Sequence, residues 1–181
     1  MNIWHDMDPK RVKKTDFVAI VEIQKGGKCK YELDKETGLL KLDRVLYTST
    51  HYPANYGFIP LTYADDLDPL DVLIICTESI HPMTEVKCYP IGVIKMTDGG
   101  WSDEKIIAIP FGEPCYNTYD DLPDLPPHIY NEMMHFFRVY KELEGKHTAV
   151  NEIRGRKDAE ETIERAIESY KKKFADKKSR E

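Results

Sequence analysis

The stretch Phe17-Val18-Ala19-Ile20-Val21-Glu22-Ile23, followed by Gly26-Gly27 and then Cys29-Lys30-Tyr31-Glu32-Leu33-Asp34, decides the fold class. The first segment is a run of apolar, mostly β-branched residues interrupted only by Glu22, which is a strong strand signal. The second alternates with period two, and the glycine pair between them predicts a hairpin joining the two. Residues two apart on a strand share a face, so Lys30 and Glu32 project together.

Further short strands follow. Asp71 to Cys76 reads as a buried strand. Glu85 to Met96 is rich in β-branched residues, and Pro90 and Gly92 predict a bend or bulge within it. Lys105-Ile106-Ile107-Ala108-Ile109 follows a Gly99-Gly100 turn. Strands at this spacing favour a small antiparallel β-barrel, OB-like and of about five strands. The last third changes period. Ile129, Met133, Phe136, Phe137, Tyr140 and Leu143 recur at helical spacing after Pro126-Pro127. A second helix is expected from Asp158, with Asp158 as its cap and Glu161 three residues on, as in a capping box. Two helices packed on a barrel make the class α+β.

At 181 residues the chain is expected to form one domain, 1–181, with residues 1–14 as an N-terminal extension and 176–181 as a frayed tail. The net charge of -6 argues against nucleic-acid and anionic-membrane partners. No apolar run approaches membrane-spanning length, and the start Met1-Asn2-Ile3-Trp4-His5-Asp6 lacks the basic and apolar regions of a secretory leader. Cys29, Cys76, Cys88 and Cys115 show no paired spacing, so reduced and mostly buried thiols in a cytoplasmic protein are expected.

The segment with the most chemistry is Ala64-Asp65-Asp66-Leu67-Asp68-Pro69-Leu70-Asp71-Val72. Asp66, Asp68 and Asp71 crowd around a proline at the mouth of a strand. Packed carboxylates repel one another, and a hard cation keeps them all ionised; oxygen ligands of this kind suit Mg²⁺, Mn²⁺ or Ca²⁺. The spacing is not that of an EF-hand, and there is no Gly-rich phosphate loop and no His-Glu-x-x-His. Taken singly, Glu22, Glu32 and Asp98 also read as surface or turn-capping acids, and Tyr52 and Tyr56 as core aromatics. An oligoanion-binding barrel, a cation buffer and a nucleoside-triphosphate hydrolase stand as rival readings.

The segments together resemble the soluble family I inorganic pyrophosphatases, in their short bacterial form. Asp66-Leu67-Asp68-Pro69-Leu70-Asp71-Val72 is similar to that family's D-x-D-P-x-D-V pattern. Tyr52-Pro53-Ala54-Asn55-Tyr56-Gly57, Lys30 to Lys35, Asp43-Arg44-Val45, Lys95 to Asp98 and Phe136 to Lys141 match in order, over about residues 17 to 175. The resemblance implies Mg²⁺-dependent hydrolysis of inorganic pyrophosphate to two orthophosphates, with several Mg²⁺ per site and Mn²⁺ or Zn²⁺ as substitutes. It implies that Asp66, Asp71 and Asp103 hold the metals that activate water, and that Asp68 is the general base. Asp98, Glu22 and Glu32 complete the metal shell. Lys30, Arg44, Lys105, Tyr140 and Lys141 bind pyrophosphate oxygens, and Tyr56 hydrogen-bonds at the leaving phosphate. Tyr52 has at most a supporting place. A homo-hexamer is implied as the assembly. One departure is visible: Gly99 follows Asp98 where bacterial members often have Glu.

Overall fold

The computed structural model describes residues 2–174, so the expected frayed tail at 176–181 lies outside the described residues. β1 (Phe17–Ile23) is buried along its whole length and pairs antiparallel with β4 (Asn55–Phe58), Ile20 opposite Phe58. β4 pairs antiparallel with β5 (Asp71–Ile74), and β5 runs parallel to β7 (Trp101–Pro110). β7 pairs antiparallel with β6 (Glu85–Asp98), and β6 returns to β1, which closes a five-stranded ring. The expected α+β class with a small barrel is present, with one parallel pairing among the antiparallel ones.

The predicted irregularity at Pro90 and Gly92 has a topological use. Before it, Glu85 to Cys88 lie against β1; after it, Gly92 to Asp98 lie against β8 (Thr148–Gly155). The register with β7 slips between Pro90 and Gly92. Proline lacks an N–H to donate, so it suits the point where a strand changes partners.

The expected hairpin between residues 17–23 and 29–34 does not form. Both edges of β1 are taken by β4 and β6. β2 (Cys29–Leu33) instead pairs with β3 (Leu40–Val45) in a separate two-stranded sheet, Lys30 opposite Arg44 and Glu32 opposite Lys41. The Gly26-Gly27 turn serves a different closure. Gly26 N donates to Tyr52 O at 2.9 Å and Tyr52 N to Gly27 O at 3.0 Å, with Gly26 at a φ of 80° that glycine adopts freely.

Both helices form, with shifted ends. α1 (Pro127–Val139) stops before Leu143, which is 69% exposed and not part of the apolar stripe. α2 (Arg156–Phe174) begins before Asp158, which lies in its first turn and does not cap it. Asp121 does: its Oδ1 accepts from Arg156 N at 2.7 Å. A Cβ on Gly155 would stand 2.6 Å from that same oxygen, so a side chain there would displace the cap. α2 and the N-terminal segment cover one core, with Trp4, Phe17, Ile163 and Tyr170. α1 covers a second, with Tyr52, Leu73, Ile94, Phe136 and Phe137. Strands buried on both faces read as continuous apolar runs, as Phe17–Ile23 does.

All four cysteines are free thiols. Cys88 is buried, Cys29 and Cys76 are half-buried and Cys115 is exposed, so burial is less general than expected. Among the described residues no helix is long and apolar enough to cross a membrane.

Candidate active site

Sheet register brings the central residues of the site together. Asp71 opens β5 and stands opposite Lys105 on parallel β7. Lys105 Nζ lies 2.7 Å from Asp71 Oδ2 and 2.9 Å from Asp103 Oδ1, and Asp103 shares its face because it is two residues earlier on the same strand. Tyr56, on β4, donates its hydroxyl to Asp71 Oδ2 at 2.5 Å and accepts from Lys105 Nζ at 3.1 Å. Four side chains from three strands thus converge on one point, and Lys105 is 2% exposed.

The acid loop leads into β5. Ala64 N donates to Asp68 O at 2.8 Å, Leu67 N to Ala64 O at 3.1 Å, and Asp68 N to Asp66 Oδ1 at 3.2 Å. Leu67 sits between the two acids at a φ of 71°, a left-handed conformation that costs a branched residue strain and leaves its side chain 59% exposed. The loop is therefore held in shape by its own hydrogen bonds at the expense of one unfavourable backbone angle.

These residues open onto a cleft of about 530 Å³. Its lining includes Glu22, Lys30, Glu32, Tyr56, Asp66, Asp68, Asp71, Asp98, Asp103, Lys105, Tyr140 and Lys141, which is every residue singled out from the sequence for the site except Arg44 and Tyr52. Arg44 lies opposite Lys30 but is turned toward Asp43 and Glu144, its Nε 2.9 Å from Glu144 Oε1. Tyr52 is 2% exposed, its ring 5.2 Å from that of Tyr56 and 4.8 Å from that of Phe136; it supports the wall from behind. Lys30 pairs with Glu32, and Lys141 with Asp98. Gly99 and Gly100 take φ values of 57° and 86° in the β6–β7 turn, which is the conformation a tight hairpin demands of its two central residues.

The cleft also has walls that the sequence did not mark. Trp4, Tyr31, Lys35 and Lys41 line it, and Lys35 pairs with Asp68. Lys35 belongs to a segment recognised for other residues, and nothing local to Trp4 connects it with an acid loop some sixty residues away.

Electrostatics mark the cleft as short of positive charge. Burial pushes the Glu22 carboxyl up to about 8, with Asp71 adding to the effect and a hydrogen bond from Leu33 N opposing it. Burial, then Asp71, raises Asp66 to about 6. Asp103 is raised for the same first reason, although Lys105 opposes it. For Lys105, burial favours loss of the proton, but Asp103 and Asp71 outweigh it and hold the ammonium well above its usual range. Burial and Asp71 push the Tyr56 hydroxyl up, so it stays a donor.

The donor set fits a hard divalent cation. It is oxygen-only, it carries more carboxylate than the lysines neutralise, and the Lys105 ammonium already stands as a cation between Asp71 and Asp103. Among the described residues no three carboxylate, imidazole or thiol side chains are already drawn together as a metal-holding group; Asp68 and Asp98 are each drawn to a lysine instead. A second, more open groove of about 720 Å³ is lined by His51, His128 and His135, but lacks such a cluster of acids.

A family model described as inorganic pyrophosphatase matches residues 19–171. The chain is 40% identical over 177 residues to soluble inorganic pyrophosphatase 2 of Chlamydomonas reinhardtii, covering 98% of this chain and 92% of that protein. It is 44% identical over 167 residues to soluble inorganic pyrophosphatase 1 of Arabidopsis thaliana, covering 92% and 79%. Among solved structures, the inorganic pyrophosphatase of Helicobacter pylori superposes with a TM-score of 0.87 at 37% identity, over 92% of this chain and 99% of that one. That of Thermus thermophilus gives 0.86 at 34% identity, over 94% and 99%. On its sequence, its barrel and its acid-lined cleft, the chain belongs to the inorganic pyrophosphatase family.

Proposed function

We propose that this protein hydrolyses inorganic pyrophosphate to two orthophosphates in the cleft below Asp71, with Mg²⁺ as the working cation and Asp68 as general base. The observation that carries the reading is the convergence of Asp71, Asp103, Lys105 and Tyr56 in a cleft that also holds Asp66 and Asp68. Asp66, Asp71 and Asp103 would hold the metals, with Asp98, Glu22 and Glu32 completing the set; Mn²⁺ and Zn²⁺ would substitute. When bound, such cations lower the pKa of water toward neutrality and offset phosphoryl charge.

The protein's own groups do the rest. Asp68 takes the proton from the attacking water, which requires its carboxylate to stay free of tight metal ligation. Lys30, Lys105 and Lys141 balance charge on the phosphoryl oxygens, where positioning and electrostatics supply most of the catalysis. Burial holds the Tyr56 and Tyr140 hydroxyls protonated, so both would donate hydrogen bonds to phosphoryl oxygens. Arg44, at the cleft's margin and paired with Glu144, would reach substrate only by exchanging that partner.

The chain works as one domain, since residues from Glu22 to Lys141 contribute to one cleft. A homo-hexamer in the cytoplasm completes the reading; light scattering on the purified protein checks the assembly. The activity is tested by phosphate release from Mg-pyrophosphate, compared with ATP and polyphosphate, with and without EDTA. Release from pyrophosphate alone, abolished by EDTA and restored by Mg²⁺, supports the reading. Equal release from ATP, or full activity without metal, overturns it.

A further inference from the structure

We propose that Trp4 is a positioning residue of this cleft, acting through Lys35 to orient the Asp68 carboxylate. The inference rests on the reading of Asp68 as general base. It gives the N-terminal segment, which precedes the family match at residues 19–171, a part in the chemistry.

Trp4 is 4% exposed and forms part of the cleft wall. On one side it is fastened to the chain that leads into the acid loop. Leu61 N donates to Trp4 O at 3.0 Å, and Trp4 Nε1 donates to Thr62 O at 2.9 Å. Thr62 in turn donates its hydroxyl to Ile59 O at 2.6 Å and accepts from Leu70 N at 2.8 Å, which ties both ends of the loop carrying Asp66 and Asp68. On the other side Lys35 Nζ lies 5.3 Å above the indole, and Asn2 Nδ2 donates to Lys35 O at 3.4 Å. Lys35 Nζ then donates to Asp68 Oδ1. One aromatic residue therefore touches both turns whose charged side chains meet.

The pair that results does little for the fold. The Lys35 and Asp68 side chains are 49% and 53% exposed, and ion pairs of that exposure contribute little to stability. Its effect is geometric. A lysine on a turn samples many rotamers, and a ring face beneath its ammonium narrows them. With Asp68 Oδ1 engaged by the ammonium, Oδ2 is the oxygen left to accept from water. A carboxylate held in this way spends more of its time in a productive orientation, which affects turnover more than substrate binding.

The test compares kcat and KM for Mg-pyrophosphate in Lys35→Ala, Lys35→Arg, Trp4→Leu, Trp4→Phe and the double variant Trp4→Leu/Lys35→Ala. Melting curves correct each rate for the folded fraction. Leucine keeps an apolar side chain in the buried place and removes the ring face. We expect Lys35→Ala to lower kcat about tenfold with KM changed less than about twofold, and Lys35→Arg to recover most of it. Trp4→Leu should lower kcat similarly, Trp4→Phe, which keeps a ring face but loses the bond to Thr62 O, should recover part of it, and the double variant should be no worse than Lys35→Ala, because coupled residues are not additive. Wild-type kcat in Lys35→Ala overturns the proposal, and so do losses that multiply in the double variant. Should Trp4→Leu not fold, the Lys35 pair and Trp4→Phe still decide: kcat of Trp4→Phe must lie above that of Lys35→Ala, and a value at or below it overturns the proposal. Failure of the underlying reading looks different: wild-type protein releases no phosphate from pyrophosphate, or Asp68→Asn turns over normally.

Discussion

Lys105 Nζ stands 2.7 Å from Asp71 Oδ2 with only 3% of its side chain exposed, so a buried ammonium holds together the two strands that carry the acids. Removing one member of such a buried pair leaves the other charges uncompensated. Lys105→Met is expected to destabilise the metal-free protein by about 3 kcal/mol or more in urea denaturation. Mg²⁺ should recover part of that loss by offsetting Asp71 and Asp103. Unchanged stability in Lys105→Met would mean that the ammonium is not a structural counter-charge.

Asp68 has the opposite placement, about half exposed and, among the described residues, paired with the half-exposed Lys35 alone. Asp68→Asn should therefore fold and melt like the wild type while losing about 10²–10⁴-fold in kcat, the usual contribution of a general base. Steady-state kinetics beside a melting curve separates the two. Near-normal turnover would rule Asp68 out as the base.

Gly57 lies on β4 opposite Val21 of β1. A Cβ there would stand 1.8 Å from Ile20 O, within the backbone of the neighbouring strand. No rotamer relieves such a clash, and Gly57→Ala is expected to cost about 3 kcal/mol by forcing β1 and β4 apart. Tyr56 is the preceding residue, so phosphate release should fall with the melting temperature. An alanine variant as stable as the wild type would show that the β1–β4 approach can relax.

Glu113 is 3% exposed yet remains ionised. Hydrogen bonds from Thr77 N and Cys115 N lead the causes that hold its carboxyl down at about 2. A depressed carboxyl contributes stability above its unfolded value, near 4.3 in model peptides, and loses it as pH falls toward the folded value. Melting temperature should therefore decline between about pH 4.5 and pH 2, and Glu113→Gln should flatten that part of the curve. Parallel curves for the two proteins would remove Glu113 as the source.

Much of the site is legible in sequence because its residues fall in short segments of distinctive chemistry. Asp66, Asp68 and Asp71 lie within six residues. Asp103 precedes the strand read at Lys105 to Ile109, and it shares a face with Lys105 only because β7 begins at Trp101. The helices are legible from their periodicity, but their ends are not. Asp121 caps α2 from across the structure, so no capping pattern local to Asp158 reports it.

The sequence by itself determined the strand-rich barrel, the two helices and the Asp66, Asp68 and Asp71 cluster, because periodicity and close spacing carry that information locally; most other acids and cations of the cleft were implied by the resemblance to the pyrophosphatase family, and Asp34, Lys35, Glu36 and Lys41 by neither. Tertiary structure alone decided which strands pair. β1 has two edges, and β4 and β6 satisfy both, so the apparent hairpin partner joins β3 instead. It also decided that Arg44 turns to Glu144 and that Trp4 closes the cleft beside Lys35. Those contacts join segments far apart in the chain, and only the completed barrel brings them within reach of one another.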